Sequence, residues 1–426
     1  MMTIEEIYQL FKSSTGVCTD TRNVKPGQLF FALKGENFNG NLYAEKALEI
    51  GALFSIVDEK SGENERLVLV EDVLTTLQHL AAYHRNQLAI PILAITGSNG
   101  KTTSKELILQ VLSKKYRTIA TNGNLNNHIG VPLSLLSINT DTEIAIIEMG
   151  ANHQGEIASY CEWTRPTAGL ITNIGLAHLE GFGGPEGVKK GKSELYTAVV
   201  KNKGTLFVNA DDEVLQELVS TYKNIFTYGS HSEANVYGGI VDTNESLLTI
   251  EWQNTKIKSQ LVGEYNLMNI MSAIALGVYF KVDEKDIQEG ISAYQPDNNR
   301  SQIMVKGSNK IIMDAYNANP SSLKLAIENF GNSNQQKKML IIGGMREMGE
   351  YSKSVHEEIL VIIRKFKFDH IVLVGKEFEG MLLENEGLFF ENNQTAKIWW
   401  NKTGIENHSI LVKGSRGIAL EKILED

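Results

Sequence analysis

Short apolar runs separated by stretches of helical periodicity organise most of this chain. Leu74, Leu77, Leu80 and Ala81 fall on one helical face, and their pattern predicts a helix that gives way near His84-Arg85-Asn86-Gln87 to a strand opening at Pro91. Apolar runs at 145–147, 169–172 and 205–208 then alternate with helical segments, which predicts a mostly parallel sheet covered by helices. From about 235 to 262 the pattern changes. Leu247-Leu248-Thr249-Ile250-Glu251-Trp252 with a polar turn predicts an antiparallel excursion, and 266–280, rich in Met, Ile, Ala and Leu, predicts a helix. A proline and polar cluster at Gln295-Pro296-Asp297-Asn298-Asn299 precedes renewed alternation, with strands expected near 311–313, 339–342, 370–374 and 410–412. The breaks divide the chain into 1–87, 88–297 and 298–426, with no internal repeat or low-complexity tract.

Composition narrows the class. A chain of 426 residues suits two to four domains at about 150 residues each. With 42% hydrophobic and 22% charged residues it reads as an ordinary soluble protein, and no apolar run approaches the roughly 20 residues that span a bilayer. Its acidic start, Met1-Met2-Thr3-Ile4-Glu5-Glu6, lacks a signal-peptide pattern, so a cytoplasmic location is expected. The two cysteines, Cys18 and Cys161, offer neither a disulfide framework nor a cysteine metal site. A net charge of -10 argues against a general nucleic-acid binder while leaving room for local basic pockets.

The most informative stretch is Ile92-Leu93-Ala94-Ile95-Thr96-Gly97-Ser98-Asn99-Gly100-Lys101-Thr102-Thr103, an apolar strand joined to a helix by a glycine turn ending in Lys-Thr. Glycines let backbone N–H groups converge on phosphate oxygens, the lysine neutralises β/γ-phosphate charge, the hydroxyl can ligate Mg²⁺, and the helix N-terminus adds partial positive charge. Gly97 and Gly100 enclose only Ser98 and Asn99, where a Walker A loop has four residues between its glycines, so a plain strand-to-helix turn is the competing reading. Farther on, Glu148 closes the run 144–147 and His178 follows 171–175, both at the carboxyl ends of expected strands, where ligands bind open α/β sheets. A glutamate and a histidine there suit a Mg²⁺ or Mn²⁺ site. Taken singly, Glu148 is equally compatible with a surface charge, His178 with a cap or core hydrogen bond, and Lys192, beside Lys189 and Lys190, with a solvated face.

Together these residues resemble the Mur ligases, the ATP-dependent amide ligases of peptidoglycan synthesis. The resemblance rests on the glycine turn, on Asn124-Leu125-Asn126-Asn127-His128-Ile129-Gly130-Val131-Pro132-Leu133, on Glu148-Met149-Gly150-Ala151-Asn152, and on Thr172-Asn173-Ile174-Gly175-Leu176-Ala177-His178-Leu179-Glu180. Cys18-Thr19-Asp20-Thr21-Arg22, the stretch 26–36, Asp314-Ala315-Tyr316-Asn317-Ala318-Asn319-Pro320-Ser321-Ser322 and the tail 411–417 are similar to the branch that joins D-Ala-D-Ala to a UDP-N-acetylmuramoyl tripeptide. The resemblance implies an α/β fold of three domains: an amino-terminal α/β domain for the UDP substrate, a central P-loop ATPase with a parallel sheet, and a carboxy-terminal Rossmann-like domain. It implies a monomer without membrane insertion, and a reaction through an acyl phosphate.

Residue by residue, it implies that Gly97, Ser98, Asn99, Gly100, Lys101, Thr102 and Thr103 hold ATP, with Asn266 and Asn269 facing the adenine and Arg300 and Asp314 reaching the nucleotide from the third domain. Two Mg²⁺ ions are implied, one on Thr102 and a second on Glu148, His178 and Lys192, the lysine being carbamylated by CO₂. Lys101, Glu148, His178 and Lys192 are the implied catalytic set. Thr19, Asp20, Thr21, Arg22, Lys34, Gly35, Asn126, Asn127, Asn317, Asn319 and Ser322 are the implied substrate residues, although Asn319-Pro320-Ser321-Ser322 also reads as a plain helix cap. Two departures from the family pattern stand out: Asn39-Gly40-Asn41 replaces a common Asp-Gly-His, and Gly344 sits where an aspartate is common. The sister ligase that adds the third peptide residue carries an Asp-Asn-Pro-Arg signature not found here. A silent nucleotide-binding relative is the alternative of another class, and the joint presence of Lys101, Thr102, Glu148, His178 and Lys192 speaks against it.

Overall fold

The structure, a computed structural model, describes residues 2–59, 62–242, 247–297 and 299–425. Among these residues strands gather into three main sheets. The first, β1 (Val17–Cys18), β2 (Leu29–Phe31), β5 (Phe54–Val57) and β6 (Leu67–Leu69), is parallel throughout, and a small hairpin, β3 (Lys34–Gly35) with β4 (Phe38–Asn39), stands beside it.

The central sheet runs β15-β14-β13-β12-β11-β10-β7-β9-β8. Its strands are β7 (Ile92–Thr96), β8 (Thr118–Ala120), β9 (Ile144–Glu148), β10 (Ala168–Ile171), β11 (Thr205–Asn209), β12 (Ile225–Gly229), β13 (Val236–Asp242), β14 (Thr249–Trp252) and β15 (Thr255–Lys258). From β8 to β13 the pairing is parallel, and β13, β14 and β15 pair antiparallel, as the change of pattern near 235 predicts. The chain leaves β7 toward β9 and later returns on its other side as β10, so the order reverses at the carboxyl end of β7, the position where open sheets form a ligand crevice. All five residues of β7 are buried, and their two-residue period sends Ile92 and Ala94 into one core and Leu93 and Ile95 into the other.

The third sheet, β16-β17-β21-β18-β19-β20, comprises β16 (Gln302–Lys306), β17 (Asn309–Asp314), β18 (Lys338–Gly343), β19 (His370–Val374), β20 (Leu388–Phe390) and β21 (Ser409–Lys413), parallel except for the β16/β17 hairpin. Strands that the apolar pattern does not announce are the short or half-exposed ones: β8 has three half-buried residues, β16 is mostly half-buried or exposed, and β20 lies at a sheet edge. The expected helix at 266–280 forms as Leu267–Tyr279, with Asn266 closing a preceding 3-10 turn. Asn298, within the sequence break at 295–299, lies outside the described residues.

Helix Val73–Asn86 binds the first sheet to the central one. Asp72 caps it, and it buries Val73, Leu77, Leu80 and Ala81 while packing on helices Gly130–Leu136 and Glu156–Thr164. Near its end two polar side chains cross the seam. His84 donates from Nε2 to Ile138 O (2.9 Å) and shares a hydrogen bond between Nδ1 and Tyr8 Oη (3.2 Å), and burial holds its pKa down. Arg85 donates to Thr164 O at 2.8 Å, Leu88 O at 2.7 Å and Arg165 O at 3.2 Å. Arg85→Leu keeps the apolar bulk and strands three carbonyls, so urea denaturation should report a loss of about 2–4 kcal/mol; a loss below about 0.5 kcal/mol would show that water replaces the guanidinium there.

Candidate active site

The glycine turn sits at the carboxyl end of β7 and is stitched to the loop after β10. Ser98 N donates to Asn173 O (3.0 Å), Ser98 Oγ donates to Gly175 O (3.0 Å) and accepts from Gly175 N (2.9 Å), and Asn99 O receives Thr172 Oγ1 (2.5 Å) and Asn173 Nδ2 (3.0 Å). Gly97 has φ +142° and Gly100 φ +77°; a Cβ would come within 2.0 Å of Thr172 Oγ1 at the first and 2.3 Å of Asn269 Oδ1 at the second. Both positions therefore demand glycine for conformation and for space. Helix Lys101–Leu112 starts directly after Gly100, its first N–H groups facing the turn.

Lys101 Nζ folds back to Gly97 O at 2.7 Å and Ser98 O at 3.3 Å, and desolvation lowers its pKa against the opposing pull of Glu148. Glu148, the last residue of β9, is 1% exposed. Its Oε1 accepts from Thr102 Oγ1 (3.1 Å) and Asn126 Nδ2 (2.8 Å), and its buried Oε2 has no hydrogen-bond partner among the described residues. Behind it lies a residue that motif reading passes over. Lys105, one turn after Lys101 and fully buried, donates to Thr121 O at 2.5 Å, pairs with Glu106 at 2.9 Å and stands 4.0 Å from Glu148 Oε2. The available signal was a lysine in register i+4 with Lys101, next to the buried-type residues Leu107 and Ile108.

Asn266 and Asn269 back the turn: Asn269 Nδ2 donates to Asn266 Oδ1 at 2.8 Å, and Asn269 Oδ1 accepts from Ser104 at 3.0 Å. From the third sheet, Asp314 Oδ2 meets Lys413 Nζ at 2.5 Å, and the Arg300 guanidinium lies 3.6 Å from the centre of the Tyr316 ring. Asn319 caps helix Pro320–Asn332 in a reciprocal box with Ser322, as the cap reading requires, and its Nδ2 also donates to Asn99 Oδ1 at 2.7 Å. Ser321 Oγ accepts from Leu176 N at 3.1 Å. The third sheet thus closes directly onto the glycine turn. A cavity of about 790 Å³ lies between them, lined by 98–103, by Asn126, Asn127, Glu148 and His178, and by Asn266, Asn269, Arg300, Asp314, Asn317, Asn319 and Ser322.

Other expected residues are engaged by neighbours or lie apart from that cavity. His178 lines it with a left-handed φ of +53°, but its Nδ1 is in close contact with Glu347 Oε2. Lys192 is buried outside the lining, donating to Ala151 O at 3.3 Å over the Phe182 ring; desolvation first, then Lys101, pushes its pKa well down. Among the described residues no three His, Cys, Asp or Glu side chains form a ready metal cluster. Thr19, Asp20, Thr21 and Arg22 form a surface turn that Asp20 caps, while Lys34 pairs with Asp58 (3.0 Å) and Glu59 (3.1 Å) beside Gly35. Lys189 is not simply solvated: it is half-buried and pairs with Glu217 at 2.8 Å, whereas Lys190 is exposed. Asn41 is buried against Asp58 (2.8 Å), a structural use of the Asn39-Gly40-Asn41 departure, and Glu377 Oε2 lies 2.3 Å from where a Cβ on Gly344 would stand, so its carboxylate occupies the room of a side chain at 344.

A glycine turn that opens a helix at the end of β7, met across one cavity by the third sheet, is the layout of a nucleotide-using enzyme. The chain belongs to the Mur ligase family: 13–85 match the Mur ligase family, catalytic domain, 95–277 the Mur ligase middle domain, and 299–416 the Mur ligase, glutamate ligase domain. It is 36% identical to the UDP-N-acetylmuramoyl-tripeptide--D-alanyl-D-alanine ligase of Bacillus subtilis, over 96% of this chain and 92% of that one, and 32% identical to the Escherichia coli protein of the same name over the same shares. Among solved structures it is similar to MurF from Acinetobacter baumannii (TM-score 0.85, 29% identity, 97% of this chain and 96% of that one) and to MurF ligase from Thermotoga maritima in complex with ADP (TM-score 0.84, 27% identity, 97% of each).

Lys105→Met removes a buried charge of matching length and leaves Thr121 O and Glu148 Oε2 facing hydrocarbon. Urea denaturation should show a loss of about 3 kcal/mol, the scale of breaking a buried pair from one side; stability within about 0.5 kcal/mol of the parent would remove Lys105 from the support of Glu148.

Proposed function

We propose that this chain joins D-Ala-D-Ala to UDP-N-acetylmuramoyl tripeptide with ATP as phosphoryl donor, releasing ADP and phosphate and yielding the pentapeptide precursor of peptidoglycan. The observation that carries the reading is the contact of Asn319, within the stretch 314–322, with Asn99 of the phosphate turn: one cavity then serves both the nucleotide and the acceptor chemistry. Relatives that bear this activity in their names match the chain almost end to end. The tripeptide carboxylate is activated as an acyl phosphate, and the dipeptide amine displaces phosphate through a tetrahedral intermediate; protein groups position the reactants and offset charge. The units 1–87, 88–297 and 298–426 take the UDP substrate, the ATP and the closing role, in a monomer acting in the cytoplasm.

The residues fit Mg²⁺. Glu148 Oε2 is a buried carboxylate oxygen with no hydrogen-bond partner among the described residues and only the 4.0 Å ion pair to Lys105, and its other oxygen lies on Thr102, the hard-oxygen set the ion prefers. Thr102 would hold one ion, and Glu148, His178 and a carbamylated Lys192 a second; such ions supply neutralisation of phosphate charge. Lys192 suits the modification, since burial favours its neutral amine, which attacks CO₂, releases a proton and becomes an anionic ligand. Lys101 and the turn 97–103 would cradle the phosphates, with Asn266, Asn269, Arg300 and Asp314 at the rest of the nucleotide. Thr19, Asp20, Thr21, Arg22, Lys34 and Gly35 would meet the UDP end, and Asn126, Asn127, Asn317, Asn319 and Ser322 the peptide end.

Phosphate release should require ATP, UDP-muramoyl tripeptide and D-Ala-D-Ala together, with pentapeptide seen by mass spectrometry. Steady ATP hydrolysis indifferent to the dipeptide, without product, would sink the ligase reading. Lys192→Ala should fall by about a hundredfold or more and recover partly with added short carboxylic acids, whereas Lys189→Ala and Lys190→Ala should stay active. Full activity in Lys192→Ala, or inactivity in Lys190→Ala, would refute the assignment at this site.

A further inference from the structure

Two lysines of one helix bracket Glu148, and only one of them faces the cavity. Lys101 lines it, with its Nζ resting on Gly97 O and Ser98 O at the edge of the space a phosphate would fill. Lys105, one turn later, is 0% exposed and stands outside the lining, behind the carboxylate. A phosphate in the cavity meets the first lysine and leaves the second in place.

The surroundings of Lys105 are unevenly matched to its charge. Its Nζ donates to Thr121 O at 2.5 Å and pairs with Glu106 Oε1 at 2.9 Å, but the Glu106 side chain is 29% exposed, so solvent screens part of that pairing. On the other side, 4.0 Å away, lies Glu148 Oε2, which is buried and without a hydrogen-bond partner among the described residues. A carboxylate oxygen shut off from water and hydrogen bonds needs a compensating charge, and the Lys105 ammonium supplies it. The same ammonium opposes a dication that comes to Glu148 alone, across an interior where charges are weakly screened. Nucleotide phosphates alter that balance, because they bring negative charge from the cavity side.

We propose that Lys105 is a positioning residue that acts through Glu148 and keeps this carboxylate closed to Mg²⁺ until nucleotide is bound. The inference rests on the reading of Glu148 as a Mg²⁺ ligand and deepens it, by giving the ion an order of arrival. Lys105 is the resting counter-charge of the carboxylate, fixed by Thr121 and Glu106, and the ion enters with the phosphates.

The test titrates the nucleotide-free full chain with Mn²⁺ as a stand-in for Mg²⁺, the free ion being read by its electron paramagnetic resonance signal. The parent should bind with Kd above about 1 mM, and Lys105→Met should bind about 10–100-fold more tightly. The double variant Lys105→Met/Glu148→Gln should return to the weak binding of the parent, which places the gain at Glu148. A merely structural role for Lys105 would loosen the site, so unchanged or weaker binding in Lys105→Met overturns the proposal, as does tight binding kept by the double variant. Should Lys105→Met fail to fold, the parent still decides: a nucleotide-free Kd below about 1 mM overturns the proposal, and one above it supports the proposal. Failure of the parent to bind ADP in excess Mg²⁺, read by calorimetry, would instead overturn the nucleotide reading.

Discussion

Backbone amides can surround a phosphate only where no side chain stands in front of them, and this constraint shapes the centre of the molecule. At Gly97 the space is closed by Thr172 and at Gly100 by Asn269, so the turn is pressed against the end of β10 on one side and the helix Leu267–Tyr279 on the other. The contacts that remove the room for a Cβ also supply the partners, Thr172 and Asn173, that satisfy the carbonyl of Asn99. The shape of the cradle is therefore set by three segments far apart in sequence, and the parallel order around β7 brings their ends together.

Polar groups under the site are arranged in depth. Thr102 and Asn126 share one oxygen of Glu148, leaving the other toward Lys105, and Lys105 in turn satisfies Thr121 O, whose own hydroxyl accepts from Glu148 N at 3.0 Å. The carboxylate is thus fixed by neighbours on helix Lys101–Leu112, on the loop before Gly130 and at the end of β8. Lys192 is controlled separately, by the apolar ring of Phe182 and the carbonyl of Ala151.

Buried, regular elements were legible in the sequence because burial writes itself as apolar runs. β7, β9, β10 and β11, fully buried, stand where the runs place them. β8, β12, β16 and β20 carry half-exposed residues, and their pairing depends on neighbours far along the chain. The glycine turn could be read because its chemistry is local. Lys105 and the pairing of His178 with Glu347 could not, since each depends on a partner supplied from elsewhere in the fold. The cap at Asn319 shows how two readings of one residue coexist: Oδ1 serves the helix and Nδ2 the phosphate turn.

That division of one amide has a mechanical outcome. Parting the third sheet from the turn breaks the bond from Nδ2 to Asn99 and leaves Oδ1 still holding the N–H of Ser322, so the helix stays intact as the gap widens. The net loss at this point is about 1 kcal/mol once water takes over both amides. Asn319 is accordingly a joint whose two bonds are independent, so that the one to the turn can be lost without unwinding the helix on which the residue is mounted.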